Sequence, residues 1–117
     1  MIAKDFNQET EKMESLAREI ESAKRPNYCI GDSNVLNNFD LIAKIVGITP
    51  MQVGIVFALK HFLSVASAAK FPEMKQAEPM IGRFADLKNY NKLLYALWLS
   101  AQGFKGSPED SLNDKFC

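Results

Sequence analysis

The stretch that opens Thr49-Pro50-Met51-Gln52 and continues into an almost unbroken apolar run limits the possible folds of this chain more than any other. A threonine able to accept from a backbone N–H, a proline at the first helical position and a glutamine completing a capping box together mark a helix start. Behind them Val53, Ile55, Val56, Phe57, Leu59, Phe62, Leu63 and Val65 occupy most of the helix circumference, with Lys60 and His61 the strongly polar residues in the middle. That distribution predicts a central helix with neighbours on several sides. Gly54 lowers helix propensity, and a close helix crossing is the reason expected for it. The apolar stretch from Gly54 to Ala69 is interrupted by Lys60 and His61 and falls short of the ~20 residues of a bilayer span, so a buried helix with no membrane contact is expected.

The rest of the chain carries the same period. Met13, Leu16, Ala17, Ile20 and Ala23 recur three and four apart and predict a helix over about 7–23 that Pro26 stops, with Glu14–Arg18 and Glu21–Arg25 spaced to support it. After a loop over 25–32, Asp32 or Ser33 can cap a helix running through Val46. Val35, Phe39, Ile42 and Val46 are its core face, and Gly47 supplies the left-handed C-cap. A break from Phe71-Pro72 to Glu78-Pro79 precedes a helix over about 80–101, packed through Phe84, Leu87, Leu94, Leu97, Trp98 and Ala101 and ended by Gly103. Leu93, Tyr95 and Leu99 widen its apolar surface to two contact faces, which points to a homo-oligomer. Residues 103–117 form a tail in which Ser107-Pro108-Glu109-Asp110 can start a short docking helix carrying Leu112 and Phe116. With no strand-period segment and no internal repeat, the expectation is all-α: residues 1–102 as one bundle of four main helices, 103–117 as a tail or short helix.

Composition narrows the function. Fourteen basic residues balance fourteen acidic ones, leaving no basic excess to draw the protein to a polyanion, so nucleic acid is not an expected partner. Cys29 and Cys117 stand 88 positions apart with no C-x-x-C pair, the pattern of reduced thiols in a cytosolic protein. Met1 to Asp5 lacks the apolar run of a signal peptide, and a cytoplasmic setting is expected. The single histidine, His61, excludes a multi-histidine metal site within one chain. In the later helices only Asp40 and Asp86 offer carboxylates, so neither a metal nor a cofactor is expected. Cys29 with His61 is the nucleophile and base that the composition allows, and no motif surrounds either. No P-loop or dinucleotide fingerprint is present.

A binding constellation is easier to assemble. Tyr28, Lys60, His61, Arg83, Asp86, Asn89 and Tyr90 could hold an anionic, ring-bearing molecule: cations for phosphate, tyrosines for stacking, Asp86 and Asn89 for ring or ribose edges. The plainer reading of the same residues is a Lys60–Asp86 or Arg83–Asp86 ion pair beside a half-buried tyrosine.

Tyr28…Gly31-Asp32, Asn38-Phe39-x-x-Ile42-Ala43, Thr49-Pro50-x-x-Val53, Lys60 and Asp86-x-x-Asn89-Tyr90-x-x-Leu93 follow in an order that resembles small phage and prophage helical domains of unknown function with ties to nucleotide metabolism or base modification. The resemblance spans roughly 25–97. It implies a phage-type protein and a nucleotide-like ligand. Gly82 stands where that pattern has a second acidic residue, Leu63 where it has an arginine, and Cys29 and Ile30 part the tyrosine from the glycine. The all-α nucleoside-triphosphate pyrophosphohydrolases are similar in architecture, but their paired-glutamate metal motif has no counterpart on the third or fourth helix. The expected function is therefore a non-catalytic accessory protein that binds or sequesters a host protein or a nucleotide-like molecule. A small magnesium-dependent nucleotide-processing enzyme and a virion assembly component are the alternatives.

Overall fold

The computed structural model describes residues 1–29 and 34–104, without the side chains of residues 28 and 29. Four helices follow in order: α1 (Ala3–Cys29), α2 (Asn37–Val46), α3 (Pro50–Lys70) and α4 (Met80–Ala101), with no strand among the described residues. The all-α architecture of four main helices matches the periodicity. The proposed Asp32 or Ser33 cap and the tail beyond Phe104 lie outside the described residues.

Local chemistry sets most of the boundaries. At the start of α3 the Gln52 backbone N–H donates to Thr49 Oγ1 at 3.1 Å, and the Thr49 N–H donates to Gln52 Oε1 at 2.9 Å, a complete capping box. Gly47 ends α2 at φ 84°, in the left-handed region, with its N–H on the Ala43 carbonyl at 2.8 Å. Where α2 begins, Asn34 takes over the expected capping role from outside the helix: its Oδ1 accepts from the Leu36 N–H and its Nδ2 donates to Asp40 Oδ2.

The first helix differs from its expectation. It begins at Ala3 rather than near Asn7 and runs through Pro26 to Cys29. Proline removes one donor and crowds the carbonyl four residues back, but here that carbonyl belongs to Ser22, an exposed residue whose freed oxygen can face water. One more turn therefore survives beyond the proline. Arg18 pairs with Glu11 rather than Glu14, while Arg25 meets Glu21 at 2.6 Å as the spacing suggests.

The molecule is organised around α3 and α4. Along their interface Gly54 faces Leu97 and Leu94, Phe57 faces Tyr90, and His61 faces Asp86, so rising numbers on α3 meet falling numbers on α4 and the two run antiparallel. A Cβ added at Gly54 would stand 2.6 Å from Leu97 Cδ1, which is the close crossing inferred from the sequence. In contrast α1 runs along α4 in the same direction, with Glu14 near Lys88, Ala17 bonded to Asn89 and Glu21 bonded to Lys92. Phe39 and Ala43 of α2, Val53 of α3 and Leu97 of α4 are buried together with Leu36, ringed by Ile42, Phe57, Tyr90 and Leu94. Ala17 and Ala85 are also buried, at 1% and 0% exposure, where small side chains let α1 approach α4.

Two expectations about burial fail, for the same reason. Among α3 residues only Val53 and Gly54 are buried, and Ile55, Val56, Leu59, Phe62 and Leu63 are exposed, so this is not a helix with neighbours all round. With 21 residues it is also long and apolar enough to cross a membrane by length and composition, contrary to the estimate made from its apolar run alone. In α4 the expected packing stripe splits: Leu97 is in the core, whereas Phe84 and Trp98 lie on the surface, and Ala85 and Asn89 take the buried positions. Val46 of α2 is likewise exposed. At about 100° per residue, Ile55, Leu59 and Phe62 of α3 turn to the same side of the α3–α4 plane as Phe84, Tyr95 and Trp98 of α4. Helix α2 packs on the other side, and α1 flanks α4, with its Phe6 and Met13 lining a pocket beside Phe84.

Candidate functional site

Midway along the α3–α4 interface three of the residues singled out from the sequence converge. His61 lies on the α4-facing side of α3, and the antiparallel register places Asp86 and, one turn later, Tyr90 opposite it. The imidazole Nδ1 is 3.4 Å from Asp86 Oδ2, but it is buried and poorly aligned, and it makes no hydrogen bond. Its ring lies against Tyr90 with centroids 5.2 Å apart. Tyr90 in turn meets Phe57 edge-on at 6.5 Å, and Phe57 meets Phe39 at 6.0 Å, so an aromatic row connects the site to the core.

Electrostatics fix the state of this group. Burial pushes the His61 imidazole below its ordinary range; the Asp86 carboxylate opposes that, while Arg83, Lys24 and Lys60 reinforce it. The ring is neutral at pH 7 and the carboxylate beside it finds its cation elsewhere, in Lys24 of α1 at 3.8 Å. Neither ion pair foreseen for Asp86 forms: Arg83 turns to Glu78 at 3.7 Å, and Lys60 is exposed. Asn89 is buried, and its Nδ2 donates to the Ala17 carbonyl at 2.8 Å, tying α4 to α1. Tyr28 belongs to the last turn of α1, and its side chain lies outside the described residues.

Beside this cluster a cavity of about 280 Å³ opens between α1 and α4. Ile20, Val35, Leu93 and Ala96 form an apolar wall, Tyr90 contributes its ring, Asp86 and Asn89 stand at one end, and Glu21, Arg25 and Lys92 border the rest. Glu21 organises that border: its two oxygens accept from Lys92 at 2.7 Å and Arg25 at 2.6 Å. The hydrogen bond from Lys92 holds the Glu21 carboxyl below its usual range, against the opposing effect of burial and with further help from Arg25.

Of the residues grouped from the sequence, Asp86, Asn89 and Tyr90 line this cavity; Glu21, Arg25 and Lys92 on its border were not among them, nor was Lys24, which faces Asp86. The Glu21–Arg25 spacing was visible, though only as support for a helix. Nothing local announces Lys92, because its partner lies 71 residues earlier. Among the described residues no group of three or more His, Cys, Asp or Glu gathers as it would around a metal ion. Among the described residues, fold and site together define a bundle of four helices with an apolar, charge-bordered cleft between α1 and α4. No family model, curated protein or solved structure matches the chain.

Proposed function

We propose that this is a non-catalytic binding protein that holds a small, flat, nucleotide-like molecule in the α1–α4 cleft. The observation that carries the reading is the cleft itself: an apolar wall and an aromatic ring at one side, with hydrogen-bonding groups confined to its end and border. Small-molecule sites combine these features, and a volume of about 280 Å³ lies at the small end of their range, suited to a base or nucleoside. Tyr90 offers a stacking surface, Asp86 and Asn89 line the end where ring or ribose edges would meet polar atoms, and Arg25 and Lys92 stand where a phosphate would exchange with Glu21. The non-catalytic part of the reading is supported by the neutral, poorly aligned His61 and by the Lys24 charge already facing Asp86. A phage-type accessory role in the host cytoplasm belongs to the same proposal.

Thermal-shift measurements against bases, nucleosides and nucleotides, with and without Mg²⁺, test it. A ligand at 100 times its Kd adds about 2.7 kcal/mol to the folded state, on the order of 10 °C for a chain of this size. Tyr90→Ala and Lys92→Ala should abolish the shift with the helix content kept. Turnover of a nucleotide by the wild-type protein, lost in Asp86→Asn, would replace this reading with the enzymatic one. A second reading, sequestration of a host protein, draws on the exposed apolar side of α3 and α4 instead of the cleft.

A further inference from the structure

The side of the α3–α4 pair turned away from α2 carries a row of large exposed apolar side chains, interrupted on α4 by Asn91 and bordered at one end by α1, whose Phe6 and Met13 line a pocket together with Phe84. Ile55, Leu59 and Phe62 are 41%, 47% and 55% exposed on α3; Phe84, Trp98 and Tyr95 are 46%, 48% and 64% exposed on α4. This surface is separate from the cleft, which opens on the α1 side of α4. We propose that it is covered by the same surface of a second copy of this chain, giving a two-fold dimer whose centre is four helices, two from each copy, with α1 and α2 of both copies outside.

Size, charge and geometry favour that occupant. Helices of 21 and 22 residues are about 32 Å long and lie roughly 9–10 Å apart. Their common face therefore has a footprint of about 600 Å², comparable with the ~800 Å² of surface that each partner of a stable interface buries. An exposed face of that extent is at the upper end of what a monomer leaves to water, and patches of this size are often functional. All six residues are uncharged, and Lys88, at the edge of the α4 face, is engaged by Glu14 at 3.5 Å. Two copies can thus meet on this face without like charges being driven together, whereas a charged partner would find nothing to complement. The molecule is only 24 Å through its thinnest dimension, about two helix layers of ~10 Å, and among the described residues its α3–α4 layer is the one left bare. A second copy encloses that layer between two others, as in ordinary helical domains.

A lipid bilayer would be the other apolar occupant, and the inner face of α3 argues against it. A spanning α3 would carry Lys60 and His61 into hydrocarbon and would have to leave Leu97 and Asp86 behind or take α4 with it. A helix lying flat on lipid usually carries a lysine- or arginine-rich polar face. Here Lys60 and Lys70 are the charged residues of α3.

Sedimentation equilibrium of the full chain tests the proposal. The expected result is a mass twice the 13.1 kDa of one chain at concentrations up to about 100 µM. Leu59→Glu and Phe62→Glu should each raise the dissociation constant roughly 100-fold or more, since an unpaired carboxylate would be desolvated at the interface, with helicity by circular dichroism unchanged. Ile45→Glu, on the exposed surface of α2 at 84%, should leave the mass doubled. A wild-type mass of one chain throughout that range overturns the proposal, and this outcome needs no variant to fold. So does a dimer that persists in both α3 variants. Flotation of the wild-type chain as a monomer with phosphatidylcholine–phosphatidylglycerol vesicles would assign the surface to lipid instead. None of these results depends on whether a ligand enters the cleft, and the thermal-shift screen does not depend on them.

Discussion

The two faces of the α3–α4 pair draw on the same residue types and end in opposite environments. Inward, Val53, Gly54, Ala85 and Leu97 are enclosed by Phe39 and Ala43 of α2 and by Ala17 of α1. Outward, Leu59, Phe62, Phe84 and Trp98 lie open along the same two helices. Inward, the positions of closest approach are small (Gly54, Ala85 and Ala17), with Phe57, Leu94 and Tyr90 packed beside them, whereas the outward row is mostly large. Close helix crossings select small side chains, because a Cβ at Gly54 already presses on Leu97. What separates the faces is therefore which residues the chain encloses: small side chains stand at the closest helix approaches, and larger ones fill the space beside them.

That contrast can be broken or sharpened by substitution. The largest effect is expected at Phe39, which is fully buried: Phe39→Ala should cost about 3–5 kcal/mol, whereas Phe62→Ala in the dilute single chain should cost well under half of that. Equal losses in chemical denaturation would erase the distinction between the faces. Next comes Gly54→Val, which forces a branched side chain against Leu97 and Leu94 and should cost about 1–3 kcal/mol. By comparison Gly82→Ala, where no atom lies within 4 Å, should stabilise by up to ~1 kcal/mol through helix propensity. Asn89→Ala should follow at about 1–2 kcal/mol, since it removes the hydrogen bond to the Ala17 carbonyl that ties α1 to the inner face.

The smallest effect is that of pH. His61 has a folded-state pKa below its unfolded value of 6.5, so the unfolded chain takes up its proton first. The stability this group contributes is complete above pH 6.5 and declines as pH falls from there through the lower folded value. Glu21, also lowered, adds a second loss that begins only near its unfolded value of 4.5. Melting temperatures between pH 7.5 and 5 should show the first decline in the wild-type protein and a flatter profile in His61→Gln. An identical slope in both would mean that His61 takes up its proton equally readily in the folded and the unfolded chain.

How much of this was legible in the sequence depends on the range of each signal. The capping box at Thr49 and Gln52, the left-handed Gly47 and the close crossing at Gly54 are local or nearly so, and each was readable from residue type and spacing. Pro26 was misleading because its cost depends on whether the carbonyl behind it can reach water, which spacing does not record. The burial of α3 and α4 was misjudged because both helices are apolar on two sides and periodicity cannot tell which side the chain will cover. At the cleft, Asp86, Asn89 and Tyr90 share a helix and could be grouped. The Glu21–Lys92 and Lys24–Asp86 pairs join α1 to α4 across more than 60 positions of sequence and have no local trace.

Trp98 allows the central claim, that one face of α3–α4 is closed by this chain and the other by its copy, to be tested most directly. It is the only tryptophan of the chain and lies on the outer face, 48% exposed. Acrylamide quenching of its fluorescence, followed as chain concentration rises from about 0.1 to about 100 µM, should weaken while the emission moves to the blue. In Phe62→Glu it should stay strong throughout. Strong quenching of the wild-type protein that does not change with concentration would contradict the account.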